Sequence, residues 1–401
     1  MTDRLDGTAG PLAAADPGPT RGWLISADDH VTEPLDLWTR LPDDLAPLAP
    51  HIEERDGAPC MVVEGKVIQR LRLPEGADAA SSRTGDVLAA ADRAERAALL
   101  VRDSNDPDGR RRDLDRDSIW GEVMFPNLFV FMVYRLSNPA LQSAVCALYN
   151  DWIWDTFGGD DRFLPVAPLP AQDVDASVRE LERCARRGFR AVLLPAHTDW
   201  LPHGYNSPAY DPLWSAAEAH GLPVHFHAGT GRDNRPAHNP GGAVVNYVVT
   251  VQGPSETISY LAGSGALARH PGLRVVMVEC GSGWLAWTLH AMDDAYREHE
   301  VWVDPKLDML PSEYFLRQGY VTFQHDPVGF HNVPLTGDRC LMWGADYPHP
   351  EGTWPESTAY LDRQLAGVPP DTARRVVWGN AAELYGFAAP ATAPPATRAG
   401  S

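Results

Sequence analysis

Lysine is almost missing from this 401-residue chain: Lys66 and Lys306 are the only two among 34 basic residues. Positive charge therefore resides in arginine, whose planar fork suits carboxylate or phosphate recognition. It is also outweighed, because 54 Asp and Glu residues leave a net charge of −20. So acidic a surface excludes nucleic-acid binding through a general phosphate-facing patch. The five cysteines, Cys60, Cys146, Cys184, Cys280 and Cys340, are odd in number and never spaced C-x-x-C. They read as reduced thiols, which places the expected protein in the cytoplasm. No apolar run approaches the roughly 18 residues that span a bilayer. The first residues, "MTDRLDGTAGPLAAADPGPT", lack the basic start and apolar centre of a signal peptide. A small molecule, rather than a nucleic acid or a membrane, is the expected partner.

What is present is enough apolar content, 44%, for one large core. Residues 1–21 and 388–401 are rich in Pro, Ala, Gly and Thr and are expected to be disordered tails around a single unit, residues 22–387. Within that unit eight short apolar runs recur: "WLISAD", "IWGEVMFP", "FLPVAPLP", "AVLLPA", "PVHFHAG", "RVVMVEC", "YVTFQHD" and "CLMWGAD". Stretches with helical spacing, such as "VDASVRELERCARRG" and "YDPLWSAAEAHG", lie between several of them and close on glycine. Eight such repeats favour an α/β fold of the (β/α)₈ barrel type over a doubly wound sheet. The connection after the first run, residues 35–117, is long enough to form a lid; it holds the helix-like "GDVLAAADRAERAALL" and the charged "DPDGRRRDLDRD".

Most runs begin apolar and finish on Asp, His, Glu or Pro, which would put that chemistry at the C-terminal mouth of a barrel. In "SADDHVTEP" the alternation of a strand turns Asp28 and His30 to one face and Asp29 to the other. His225 and His227 share a face in the same way, Glu279 ends the sixth run, and "WGADYPHP" brings Asp346 and His349. Any one of these could cap a helix or bond a backbone carbonyl. Together at one mouth, imidazole nitrogens and carboxylate oxygens point to a divalent transition metal such as zinc or iron.

These motifs resemble the amidohydrolase superfamily, in the branch that holds the amino-carboxymuconate-semialdehyde and resorcylate decarboxylases. The resemblance spans about residues 23–387 and is carried by "DDH", "YNDW", "YNSPAYDPLW", "LPVHFHAG", "VECGSGWL", "WGADYPHPEG" and "WGNAAELYGF", in that order. It implies a metal-dependent barrel enzyme, a homodimer, the ligands Asp28, His30, His227 and Asp346, and Asp346 as acid/base. The chain departs from the family in two places. The usual strand-one H-x-H is here His30 followed two residues later by Thr32, with Glu33 next, so that Asp28 stands in as the companion ligand, and Glu279 stands where relatives place a catalytic or ligating strand-six histidine. Glu279 and His225 are further candidate ligands, with Glu33 and His325 as possible additions, a surplus that would allow one ion or two.

An added anion beside the metal should disfavour a substrate carboxylate, so the expected reaction is hydrolysis of a carboxylic derivative by metal-activated water. Asp346, Glu279 and His349 are the expected catalytic residues, and Arg232 and His325 the expected substrate contacts. Ester, amide and thioester stay open. Arg110, Arg111 and Arg112, if exposed, could hold a phosphorylated carrier such as coenzyme A, although a solvated turn balanced by Asp108 and Asp113 explains the run as well. A non-oxidative decarboxylase and a non-catalytic ligand-binding descendant are the alternatives.

Overall fold

The computed structural model describes residues 22–55, 58–70, 105–231, 240–349 and 352–390. Arg232, the helix-like stretch at 85–100, residues 1–21 and most of the expected C-terminal tail lie outside them.

All eight expected runs contain strands. The first is β1 (Leu24–Val31), fully buried along its length. Three strands of the long connection follow, β2 (His51–Arg55), β3 (Ala58–Val63) and β4 (Lys66–Arg70), and form a separate antiparallel sheet in the order β2-β3-β4. The barrel resumes with β5 (Ile119–Pro126), β6 (Phe163–Pro165), β7 (Ala167–Pro168), β8 (Val192–Pro195) and β9 (Val224–His227). It ends with β10 (Val275–Val278), β11 (Gly319–Phe323) and β12 (Leu341–Trp343). The pairings run β1-β5-β6 and β7-β8-β9-β10-β11-β12, all parallel, with β6 and β7 as two halves of one strand.

The ring closes where the end of β12 meets β1. The Asp346 N–H donates to the Asp28 carbonyl at 2.8 Å, and the His30 N–H to the Tyr347 carbonyl at 2.5 Å. Parallel strands covered on both faces must be apolar throughout, which is why "RVVMV" and "AVLLP" show no alternation. The chain is a (β/α)₈ barrel, and it carries every strand's C-terminal end to one mouth.

Helices cover the barrel where glycine stops were read. The helix Val174–Arg187 ends on Gly188 at φ +108°, and Asp211–His220 on Gly221 at φ +64°, the left-handed cap that glycine adopts without strain. The charged run "DPDGRRRDLDRD" differs from the solvated turn expected of it. It forms a helix, α1 (Pro107–Arg116), started by the Asp106 carboxylate accepting from the Gly109 N–H at 2.7 Å. One face of α1 is buried, with Arg110 and Asp113 among its buried residues.

Candidate metal centre

β1 turns Asp28 and His30 inward, both wholly buried. The His30 ring is fixed from behind, because Nδ1–H donates to the Pro126 carbonyl at the end of β5, 3.1 Å away. That bond fixes the tautomer and leaves the Nε2 lone pair facing the barrel axis. There it lies 3.8 Å from Asp28 Oδ1, 3.6 Å from Glu279 Oε2 and 3.4 Å from Asp346 Oδ1. His227 repeats the arrangement from β9: Nδ1 bonds the Ala228 carbonyl at 3.0 Å, and Nε2 stands 3.1 Å from Glu279 Oε2 and 3.9 Å from Asp28 Oδ1. The two rings meet edge to face, with centroids 5.1 Å apart.

Glu279 and Asp346 follow β10 and β12 with φ of +54° and +58°, left-handed values that only the surrounding structure can sustain in non-glycine residues. The Glu279 N–H donates to Thr322 Oγ1 at 2.8 Å, and the Asp346 N–H is held by β1 as described. Each strand end thus folds back to aim a carboxylate at the axis.

A bound cation fits this site on its polar atoms alone. Both Asp28 oxygens are buried without a hydrogen-bond donor, and around them His30 Nε2, His227 Nε2 and Glu279 Oε2 are buried facing chiefly one another. Leaving one buried polar atom unsatisfied costs about 1–3 kcal/mol, so a cluster of acceptors at one point favours a shared cation. Donor atoms of Asp28, His30, His227 and Glu279 all lie within 4.8 Å of one another, as do those of His30, Glu279, Asp346 and His349. Mixed imidazole and carboxylate donors suit a divalent transition ion. The donor set can hold a divalent metal ion.

Electrostatics agree with that need. Burial and then the Glu279 charge push the Asp28 carboxyl well above the usual carboxylate range. Burial lowers the His30 pKa to about 3, aided by the charge of His349. For His227 burial also acts downward, but the hydrogen bond and charge of Glu279 outweigh it and take the imidazole up to about 9. Burial would raise Glu279, yet its bonds from His227 and His30 hold it below the usual carboxylate range.

Other expected residues lie elsewhere. His225 is buried below the donor group with both nitrogens engaged, Nδ1 by the Val192 carbonyl at 3.1 Å and Nε2 by the Tyr385 hydroxyl at 2.8 Å. Glu33 accepts from the N–H groups of Asn127 and Phe129 and so caps the segment after β5, rather than the turn that follows Pro34. His349 joins the centre: Nδ1 is 2.8 Å from Asp346 Oδ1, Nε2 is 3.1 Å from Asn127 Oδ1, and the ring stacks on His30 at 4.1 Å. His325 lies just past β11 and is exposed. The arginine run offers no carrier site at Arg110, which is wholly buried, and Arg111 is paired with Asp108 and Asp160. Asn127, Thr322 and Tyr385 support the site although sequence reading did not single them out; each is a polar residue at or near a strand end or in a quoted motif, with a partner far along the chain.

Known proteins resemble this chain along most of its length. A gamma-resorcylate decarboxylase from Polaromonas sp. (strain JS666) is 24% identical over 320 residues, 72% of this chain and 93% of that protein. One from Rhodococcus jostii (strain RHA1) is 30% identical over 272 residues, 59% of this chain and 78% of that protein. An amidohydrolase structure from Mycobacterium avium subsp. paratuberculosis K-10 superposes with a TM-score of 0.74 at 21% identity, covering 91% of this chain and 99% of that one. The expectation of hydrolysis is corrected by these curated relatives, which are decarboxylases. Glu279 does not stand apart as an added anion, since its Oε2 sits 3.1 Å from His227 Nε2 and 3.6 Å from His30 Nε2, within the donor group itself. No helix of the described residues is long and apolar enough to cross a membrane. Residues 129–387 match the family model described as Amidohydrolase, and the chain is an enzyme of that superfamily.

Proposed function

We propose that this chain is a metal-dependent, non-oxidative decarboxylase of an aromatic or enoic carboxylic acid. The observation that carries the reading is the buried donor group of Asp28, His30, His227, Glu279 and Asp346 in a chain that aligns with 93% of a gamma-resorcylate decarboxylase. A divalent cation held by these residues would supply the positive charge that anchors an anionic substrate and accepts electron density as carbon dioxide departs. Asp346 is the proton donor in this reading. The bond between ring or enoic carbon and carboxylate breaks, its electron pair stays on that carbon, and the Asp346 carboxyl delivers a proton there. His349 holds Asp346 through Nδ1 and is itself held by Asn127, whose Nδ2 donates to Thr32 Oγ1 at 3.1 Å.

Manganese is the metal we propose ahead of the zinc or iron expected from donor chemistry, because a dihydroxybenzoic acid decarboxylase from Polaromonas sp. JS666 is described with bound manganese; that structure superposes at a TM-score of 0.61 and 18% identity. A single ion is favoured over two. His30 has one free nitrogen, and both candidate donor groups need it.

The homodimer and the cytoplasmic location belong to the same proposal. Val244, Val245, Tyr247 and Val248 are exposed on one short helix, within a run, 241–255, that carries no charge in a chain of net charge −20; such a strip supports self-association, which sedimentation would measure. All five cysteines are free and buried, which supports a reducing compartment.

The test is a screen of metal-loaded protein against aromatic and enoic acids with carbon dioxide as the readout. Turnover of esters or amides with no carbon dioxide from any acid would defeat the reading.

A further inference from the structure

Directly behind the ligand-bearing strands lies a second buried ionic cluster, built around Arg110 of α1. Its guanidinium is wholly buried and uses its fork in three directions. Nε and Nη2 grip the Glu122 carboxylate of β5 at 2.5 and 2.7 Å, while Nη1 donates to the main-chain carbonyl of His30 at 2.7 Å. The face of the same guanidinium lies 4.8 Å from the centroid of the Tyr347 ring. Tyr347 is pinned at three further points. Its hydroxyl donates to Asp113 at 2.7 Å, its N–H donates to Asp29 Oδ1 at 2.8 Å, and its carbonyl accepts from the His30 N–H.

These contacts bracket the metal site. The peptide groups on both sides of the His30 α-carbon are fixed, one by Arg110 and one by Tyr347, and Tyr347 directly follows Asp346. A buried ion pair is a poor source of net stability, since desolvation offsets most of its attraction. An arginine placed here at that cost therefore invites a role in geometry. We propose that Arg110 is a positioning residue for the metal centre: its guanidinium sets the spacing between the ligands of β1 and the carboxylate that follows β12. The long connection after β1 thereby takes part in the site through α1, although no side chain of α1 belongs to the donor group. The proposal rests on the metal-site reading given above.

Lysine keeps the charge but lacks the planar fork that reaches Glu122 and His30 together, so Arg110→Lys isolates geometry from charge. Metal-free protein is titrated with Mn²⁺ by calorimetry, and the visible absorption of the Co²⁺-loaded form reports the ligand field. Arg110→Lys is expected to weaken Mn²⁺ binding by about tenfold or more and to shift the Co²⁺ bands. Tyr347→Phe, which loses only the hydroxyl bond to Asp113, is expected to act in the same direction more weakly, and it decides the matter should Arg110→Lys not fold. Glu180→Gln is the control. It breaks a largely buried carboxylate–arginine pair with Arg183 on a helix outside the barrel and should lower the melting temperature with Mn²⁺ affinity unchanged. Wild-type Mn²⁺ affinity and Co²⁺ spectra in folded Arg110→Lys and Tyr347→Phe would overturn the proposal, as would an equal loss of affinity in Glu180→Gln. Failure of the unmodified protein to bind Mn²⁺ would instead overturn the metal-site reading itself, and this proposal with it.

Discussion

Glu279 Oε2 lies 3.1 Å from His227 Nε2 and 3.6 Å from His30 Nε2, on a residue whose φ is +54°. A left-handed glutamate costs about 1–3 kcal/mol unless something repays it, and at this position the return is a carboxylate aimed between two imidazoles. Glu279→Gln preserves the shape and removes the charge. We expect it to weaken Mn²⁺ binding by about 10–100-fold, read by calorimetry on metal-free protein; undiminished affinity would remove Glu279 from the ligand set.

Asp346 has a different part. Its Oδ1 is shared between the neighbourhoods of His30 and His349. With four other donors in place, Asp346→Asn should retain most of the bound metal while turnover falls by about 10²–10⁴-fold, the usual worth of a positioned acid. Elemental analysis beside steady-state rates would separate the two effects, and full activity in the variant would end the assignment.

Gly344, the residue after β12, lies against Asp28 of β1. A β-carbon there would stand 2.5 Å from the Asp28 β-carbon and 3.1 Å from the Asp28 nitrogen. Gly344→Ala should therefore push apart the two strand ends that carry Asp28 and Asp346. A loss of about 1–3 kcal/mol in urea unfolding, with weakened metal binding, is expected. Unchanged stability would mean that the strands yield more easily than their contacts indicate.

Far from the centre, Glu64 ties the β3–β4 turn to the helix Pro139–Phe157. Its carboxylate accepts from the Ser137 N–H and hydroxyl and from the Asn138 N–H at 2.7 Å, just ahead of that helix. Burial opposes its ionisation, but these bonds prevail and lower its pKa below the ordinary 4.5. A depressed carboxylate pKa stabilises the fold fully above about pH 4.5 and loses that contribution as the pH falls through the folded-state value. Glu64→Gln should thus cost about 1–2 kcal/mol at pH 7, with the gap to the unmodified protein closing below pH 4.5. A gap that stays constant with pH would assign the stabilisation to shape and not to charge.

Strand positions were legible because each barrel strand is a short, self-contained apolar run ending in a polar residue, and alternation sufficed to turn Asp28 with His30 and His225 with His227. Long-range pairing was not legible. His225 faces the same interior as His227, yet Tyr385, 160 residues away, occupies its Nε2. Arg110 reads as part of a solvated run until its partner Glu122 is found across the β5 register. The sequence alone lets the aromatics Trp38, Phe125, Phe131, Tyr134 and Trp354 suit a bulky hydrophobic acyl group or pack in the core equally well; the Phe131 side chain lies outside the described ones, the other four are buried, and Tyr134 and Trp354 bond the carbonyls of Leu193 and Asp113. The reaction was the hardest part to read. One donor set can polarise a carbonyl for water or hold a carboxylate for loss of carbon dioxide, and the motifs that build it do not distinguish the bond that breaks.

That distinction is open to direct measurement. Manganese-loaded protein would be incubated with aromatic acids, gamma-resorcylate and 5-carboxyvanillate among them, in deuterated water labelled with oxygen-18. The account predicts one carbon dioxide released per product, one deuteron on the carbon that lost it, and no solvent oxygen in the organic product. Solvent oxygen in a newly formed acid, with no carbon dioxide released, would contradict it.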